Sequence, residues 1–207
     1  MEAQRSAAQT ETDVDVAVGD DADRPMRADA RRNYERLVAA AREVFTEQGG
    51  GASMEAIAKR AGVGVGTLYR HFPKRIDIVE AVYRTDVDQL MRLATDVADL
   101  EPWEGLVEWL EGFLQYARGK RTFLNELYEA FEKNPELKVE SRQRLEQAVG
   151  DVLARAQAAG EVRKDVDGAD LMQLLGTMCM SATLTEEQGD RLLTVILDGL
   201  RHQHDGA

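Results

Sequence analysis

Residues 53–72 read SMEAIAKRAGVGVGTLYRHF, and each part of this stretch has a mechanical role in two short helices meeting at a sharp corner. Ser53 is placed to cap a helix whose inward side is Ile57, Ala58 and Ala61, small enough at the alanines for a second helix to approach. Gly62 ends that helix by taking a left-handed conformation, and Val63 plugs the corner. Leu68 and Phe72, four residues apart, anchor the second helix from beneath. Its opposite face carries Gly64, Val65, Thr67, Arg70 and His71, which are small, polar or basic. Such a face can meet base edges and phosphates in a DNA major groove. The same pattern also fits a helical hairpin packed inside an all-α protein. Charge separates the two readings. Between Met26 and Arg75 there are ten Lys or Arg against five Asp or Glu, in a chain whose net charge is −12. A basic island in an acidic protein is what a phosphate-binding surface requires.

Working outward, residues 62–83, GVGVGTLYRHFPKRIDIVEAVY, resemble the DNA-binding region of the tetracycline repressor (TetR) family of bacterial regulators, and the preceding helix with its Ser53-Met54 junction is similar too. The resemblance implies an all-α fold. An N-terminal three-helix DNA-binding domain with a helix-turn-helix would be joined by a long helix to a larger helical domain that dimerises and holds a small ligand. It also implies phosphate contacts from Ser53, Thr67, Tyr69, His71 and Lys74, at positions where similar proteins make them. Gly64, Val65, Gly66, Thr67 and Arg70 would approach the bases. The family often places serine or threonine where Gly64 stands, so no side-chain cap or contact is implied there.

The chain divides accordingly into an acidic tail over 1–25, the helix-turn-helix domain over 26–75, and a ligand-binding and dimerisation domain over 76–207. The tail holds seven acids, two arginines and no aromatic residue. It cannot bury enough apolar surface to offset the entropy of ordering, and is expected to be disordered. Arg24, Arg27, Arg31 and Arg32 form a basic arm suited to the DNA backbone or minor groove. The first helix is expected from Ala28 to Gln48, where Gly49-Gly50-Gly51 stops it. Pro73 suits the first turn of a long helix carrying Ile76, Val79, Val82, Tyr83, Leu90 and Leu93 to about Ala98. Five further helices are expected at 102–118, 121–133, 135–158, 167–182 and 185–203, with breaks at Gly119-Lys120, Asn134-Pro135 and Ala159-Gly160.

Aromatics concentrate between residues 103 and 131: Trp103, Trp109, Phe113, Tyr116, Phe123, Tyr128 and Phe131, with Leu127 among them. Together with Met172 and Met178 they are candidates to line a cavity for a small, largely apolar effector, with Asn125, Glu126 and Gln173 supplying polar points. Leu171, Leu174, Leu175 and Met178, then Leu192, Leu193, Val195, Ile196 and Leu200, form stripes wide for terminal helices. Pairing of the last two helices across a two-fold axis into a four-helix bundle would explain them.

No run of eighteen apolar residues suggests a membrane span, the N-terminus lacks the pattern of a signal peptide, and the single Cys179 excludes an internal disulfide. A cytoplasmic location is expected. No nucleophile–base pairing is legible, so an enzyme is not expected, nor a cofactor. His202 and His204 near the end read as solvated residues rather than metal ligands, and the pairs Glu186-Glu187 and Glu129-Glu132 as solvated faces. The reading that follows is a DNA-binding transcriptional regulator, a ligand-responsive repressor that binds a palindromic operator of double-stranded DNA as a homodimer. The alternative is a helical small-molecule-binding or protein-interaction module that does not read DNA.

Overall fold

The structure, a computed structural model, describes residues 23–181 and 183–201, with side chains from residue 29 onward except those of 179 and 180. Residues 1–22 of the acidic tail, His202, His204 and the Cys179 side chain lie outside the described residues. Among the described residues, nine α-helices follow one another: α1 (Asp23–Gln48), α2 (Met54–Ala61), α3 (Val65–His71), α4 (Arg75–Asp96), α5 (Pro102–Arg121), α6 (Leu124–Lys133), α7 (Pro135–Ala158), α8 (Gly168–Met180) and α9 (Glu186–Leu200). Single 3₁₀ turns at Gly49–Gly51 and Val97–Asp99 join α1 to α2 and α4 to α5. Among the described residues there is no strand, only an isolated bridge between Val162 and Arg201. The all-α expectation is therefore met.

The first three helices form a compact head. Leu37, Ala41, Val44 and Phe45 of α1 close on Ile57 and Ala58 of α2 and Leu68 of α3, all essentially without solvent exposure. Burying the Leu, Val, Phe and Ile side chains favours the folded head by about 1.5–3 kcal/mol each before entropy is set against it. Salt links tie the same helices outside the core. Arg60 of α2 reaches Glu43 and Glu47 of α1 at 2.8 and 2.6 Å.

The long connecting helix starts later than its sequence suggests. Arg75, not Pro73, opens its first turn, and Lys74 is the cap, because Asp77 folds back so that its Oδ2 accepts the Lys74 backbone N–H at 2.8 Å. Pro73 precedes this turn, where its missing N–H costs nothing. The helix α4 spans 22 residues, about 33 Å at 1.5 Å per residue. Its first turns pack beneath the head, and its later turns run into the body.

The body is α5 to α9 wrapped on α4. Trp109 of α5 is fully buried, and its indole N–H donates to the Leu90 carbonyl of α4 at 3.2 Å, which pins the two helices together while satisfying the one polar atom of the ring. Caps set the remaining boundaries. Asn134 Oδ1 accepts from the Leu137 N–H ahead of Pro135. Asp167 and Asp170 exchange bonds at the start of α8, and Thr185 caps α9. Arg118 fastens α9 to α5, donating to Asp190 Oδ1 at 2.6 Å and to the Glu186 carbonyl at 3.1 Å.

Candidate nucleic-acid interface and effector cavity

The corner between α2 and α3 is built as its residue types require. The Ser53 hydroxyl accepts the Ala56 N–H at 3.0 Å, capping α2. Gly62 sits at φ 66°, ψ 35°, and the Val63 N–H returns to the Ala58 carbonyl at 3.0 Å. A side chain at 62 would also meet the Arg36 guanidinium at 2.9 Å, where that group donates to the Ala61 carbonyl. Gly62 is thus needed for its left-handed conformation, while the Arg36 side chain could shift to make room.

Gly64 and Gly66 are glycines for a different reason. Gly64 has φ −68°, and a Cβ built on either residue would meet nothing within 4 Å among the described residues. Neither the backbone nor the surrounding protein demands a glycine there. Val65 and Tyr69 stand exposed on the same side of α3, at 38% and 43%. Thr67 accepts from Arg70 Nη2 at 3.0 Å, and Lys74 lies exposed just beyond the helix. His71 is half-buried against Tyr34 of α1, ring centres 6.3 Å apart. The outer face of α3 is therefore open, small at its start and flanked by hydroxyls and cations.

The second site is a cavity of about 640 Å³ inside the body. Tyr83 comes from α4, Phe113, Tyr116 and Lys120 from α5, Phe131 from α6, Lys138, Arg142 and Leu145 from α7, and Met172, Gln173, Gly176 and Thr177 from α8, with Ser181 at its edge. Its rings contact one another. Tyr83 meets Phe131 edge-on at 5.2 Å, and Phe113 lies 5.5 Å from Tyr116. The Lys120 ammonium lies 5.6 Å from the Tyr83 and Tyr116 ring centres and 6.0 Å from that of Phe131.

Arg75 and Glu126 make a third arrangement, between head and body. Arg75, at the start of α4, donates to the Ala52 carbonyl in the head and lies over the Phe45 ring at 5.2 Å. It also holds Glu126 of α6 at 2.9 Å. The same short helix thus carries a wall of the cavity, Phe131, and a link to the head, Glu126.

Comparison with known proteins agrees with this layout. Residues 37–82 match the profile of the bacterial regulatory proteins, tetR family, and residues 101–202 that of the transcriptional regulator SbtR-like C-terminal domain. The TetR transcriptional regulator SCO0520 from Streptomyces coelicolor is 36% identical, with 81% of this chain and 98% of that chain covered and a TM-score of 0.70. The chain belongs to the TetR family. A TetR regulatory protein from Mycobacterium vanbaalenii is 34% identical over 86% of this chain and 100% of its own, with a TM-score of 0.67. The HTH-type transcriptional regulator UidR of Escherichia coli is 28% identical over 155 residues, 72% of this chain and 79% of its own. As a TetR-family protein the chain is a DNA-binding transcriptional regulator and not an enzyme. Membership, rather than a helical module that does not read DNA, accounts for the basic head.

Of the cavity candidates named from sequence, Phe113, Tyr116, Phe131 and Met172 come together in the wall, with Gln173 beside them. Trp109 stacks behind Phe113 at 5.6 Å, a layer deeper. Phe123 packs on Phe45 of α1 at 5.2 Å, and Leu127 is buried in the core. Tyr128 faces outward, 41% exposed, and Trp103 lies under the Arg201 guanidinium at 4.4 Å. Met178 lines a separate small void with Leu114, Leu175 and Leu193. Sequence reasoning missed Tyr83, Lys120, Lys138 and Arg142. For Lys120 a signal existed: it falls on the apolar stripe of α5, four residues after Tyr116 and seven after Phe113, an unusual register for a cation. Reading Gly119-Lys120 as a helix break concealed it, whereas α5 runs through to Arg121.

Proposed function

We propose that this regulator represses transcription by binding a palindromic operator as a homodimer, and that a small molecule in the body cavity changes its operator affinity. The observation that carries the DNA reading is the start of α3. Gly64 and Gly66 have no internal reason to lack side chains, and a nucleic-acid backbone or base edge approaching from outside supplies one. Gly64, Val65, Gly66, Thr67 and Arg70 meet the bases, with Val65 placed for a thymine methyl. Ser53, Tyr69, His71 and Lys74, with Thr67, hold phosphates. With few long polar side chains on α3, discrimination also draws on DNA shape.

Pairing through α8 and α9 is supported by the apolar side chains they leave in water: Leu174 at 53%, Leu192 at 37% and Val195 at 65%. An isologous four-helix contact would cover them and set two recognition helices about 34 Å apart. No described helix is long and apolar enough to cross a membrane, and a cytoplasmic location on DNA follows from the function.

Two elements join cavity to head. The helix α4 presents Tyr83 to the cavity and Arg75 to the head, and α6 presents Phe131 and Glu126 in the same way. A ligand that moves either helix changes the spacing of the recognition helices, a coupling of about 1–3 kcal/mol that acts equally on ligand affinity. The test is retention of genomic fragments by the purified protein at two salt concentrations, followed by sequencing. One recovered inverted repeat, bound less tightly as salt rises, is the expected result. Retained DNA with no shared sequence overturns the operator reading.

A further inference from the structure

We infer that the cavity recognises an organic anion with an apolar body, in its simplest form a carboxylate, rather than a wholly apolar molecule. This rests on the reading of the cavity as an effector site. Three cations line it, Lys120, Lys138 and Arg142, and among the described residues no Asp or Glu is in its wall. That is a local inversion of charge, since residues 76–207 together carry a net −12. Random placement of solvating charges on such a body would put acids there first.

The cations are also graded by depth. Lys120 is 8% exposed, on the inward stripe of α5, its ammonium surrounded by the Tyr83, Tyr116 and Phe131 rings. Ring faces carry partial negative charge and offset part of the cost of removing an ammonium from water. Lys138 and Arg142 lie exposed on α7, and Arg142 Nη2 donates to Gln173 Oε1 at 3.3 Å across to α8. An entering anion therefore meets exposed cations first and a buried one last. The apolar remainder of the wall, Phe113, Phe131, Leu145 and Met172, takes the body of the ligand. A volume of about 640 Å³ falls in the usual range for small-molecule sites.

The charge also excludes. A cationic ligand would bring like charge against Lys120 in a poorly screened interior. A neutral apolar one would bring no charge to set against the three cations of the wall. The same three rings would suit a quaternary ammonium ligand had Lys120 not already placed its own cation among them.

The experiment uses the full-length protein and a set of carboxylic acids, each matched with its primary amide and its amine on the same apolar scaffold. Binding is found by thermal shift and measured by calorimetry on wild type, Lys120→Gln, Lys120→Arg and Arg142→Gln. Acids should stabilise the protein where their amides and amines do not. Lys120→Gln should weaken acid binding at least about tenfold, the worth of a charge-assisted hydrogen bond, while Lys120→Arg keeps most of it. Amides or amines binding as tightly as acids, acids bound equally well by a cooperatively melting Lys120→Gln protein, or no acid bound at millimolar concentration would each overturn the inference. Should Lys120→Gln fail to fold, Arg142→Gln at the exposed mouth carries the comparison: acids lose affinity there, and unchanged affinity counts against the claim. Operator binding with the same compounds separates the two readings. A bound acid that leaves operator affinity unchanged defeats the effector reading alone, and a neutral compound that releases the operator defeats the anion inference alone.

Discussion

The head and the cavity both present positive charge, but they treat it in opposite ways. In the head, much of the charge counted from sequence is already committed within the protein. Arg60 pairs with Glu43 and Glu47, Arg36 holds the Ala61 carbonyl, Arg75 holds Glu126, and Arg42 lies 3.3 Å from Asp86. Among the described residues of the head, the cations left exposed are Lys59, Arg70 and Lys74, with Arg31 and Arg32 lightly paired to their own helix. In the cavity the deepest cation is buried among rings. Exposed charge attracts any polyanion and is screened over about 8 Å in physiological salt, whereas buried charge is screened far less and selects by shape. Under the proposed function, the first serves fast, broad contact with DNA and the second discrimination of a small molecule.

The largest expected effect tests that contrast directly. Raising salt from about 50 to 200 mM should cost operator affinity about 10³-fold if the dimer neutralises six phosphates. Binding of an organic acid in the cavity should change far less, and calorimetry at the same salts would show parallel losses if the contrast is wrong.

Asp86 is next, as the buried charge of opposite sign between α1 and α4. It is 2% exposed, and although Arg42 is near, Oδ1 gains no hydrogen bond in return for burial. Burial, only partly opposed by Arg42, raises its pKa from 3.8 to about 6. Because the folded state binds this proton more tightly than the unfolded chain, protonation stabilises the fold below pH 3.8, and that contribution is lost as pH rises through about 6. Asp86→Asn should therefore gain up to about 3 kcal/mol over wild type at pH 7.5, an upper bound since Asn also loses Arg42. The gain should shrink as pH falls toward 4, and urea unfolding of both proteins across this range would expose a pH-independent difference.

Gly66→Ala should separate folding from function. With open space for a Cβ and a helical backbone, alanine should raise stability by about 0.5–1 kcal/mol. Operator binding should nonetheless fall, by about tenfold or more if the base edges approach closely, since one lost close contact is worth about 1–3 kcal/mol. Undiminished operator binding would remove the argument that the α3 surface is shaped by DNA. The smallest effect is Ser53→Ala, which removes the α2 cap and should cost about 1 kcal/mol in thermal or urea unfolding.

The head was legible because its determinants are local. Ser53, Gly62 and Leu68 each act on neighbours within a few residues, and turn chemistry leaves little choice once a glycine must stand at φ 66°. Helix boundaries in the body were legible for the same reason wherever a proline, a capping Asn or a Thr marks them. The cavity was not, because its wall is drawn from five helices and no periodicity reports which turn of one helix faces which turn of another. Trp109 went to Leu90 and Phe123 to Phe45, partners far away in sequence. Lys120 was hidden by a glycine that reads as a stop yet lies inside α5, and Pro73 was read as helical where the local cap between Lys74 and Asp77, three residues apart, starts the helix just after it.

The body helix α6 has only ten residues, with Glu126 and Phe131 five positions apart, about 7.5 Å along its axis. If the cavity holds an effector as proposed, sensing surface and latch share one rigid segment no longer than three turns. Signal and selectivity become separable traits in inheritance. Under that proposal, substitutions on α7 and α8 can retune which molecule is admitted without touching the element that would report its arrival. A lineage of such regulators can change its chemical vocabulary while keeping one grammar of response.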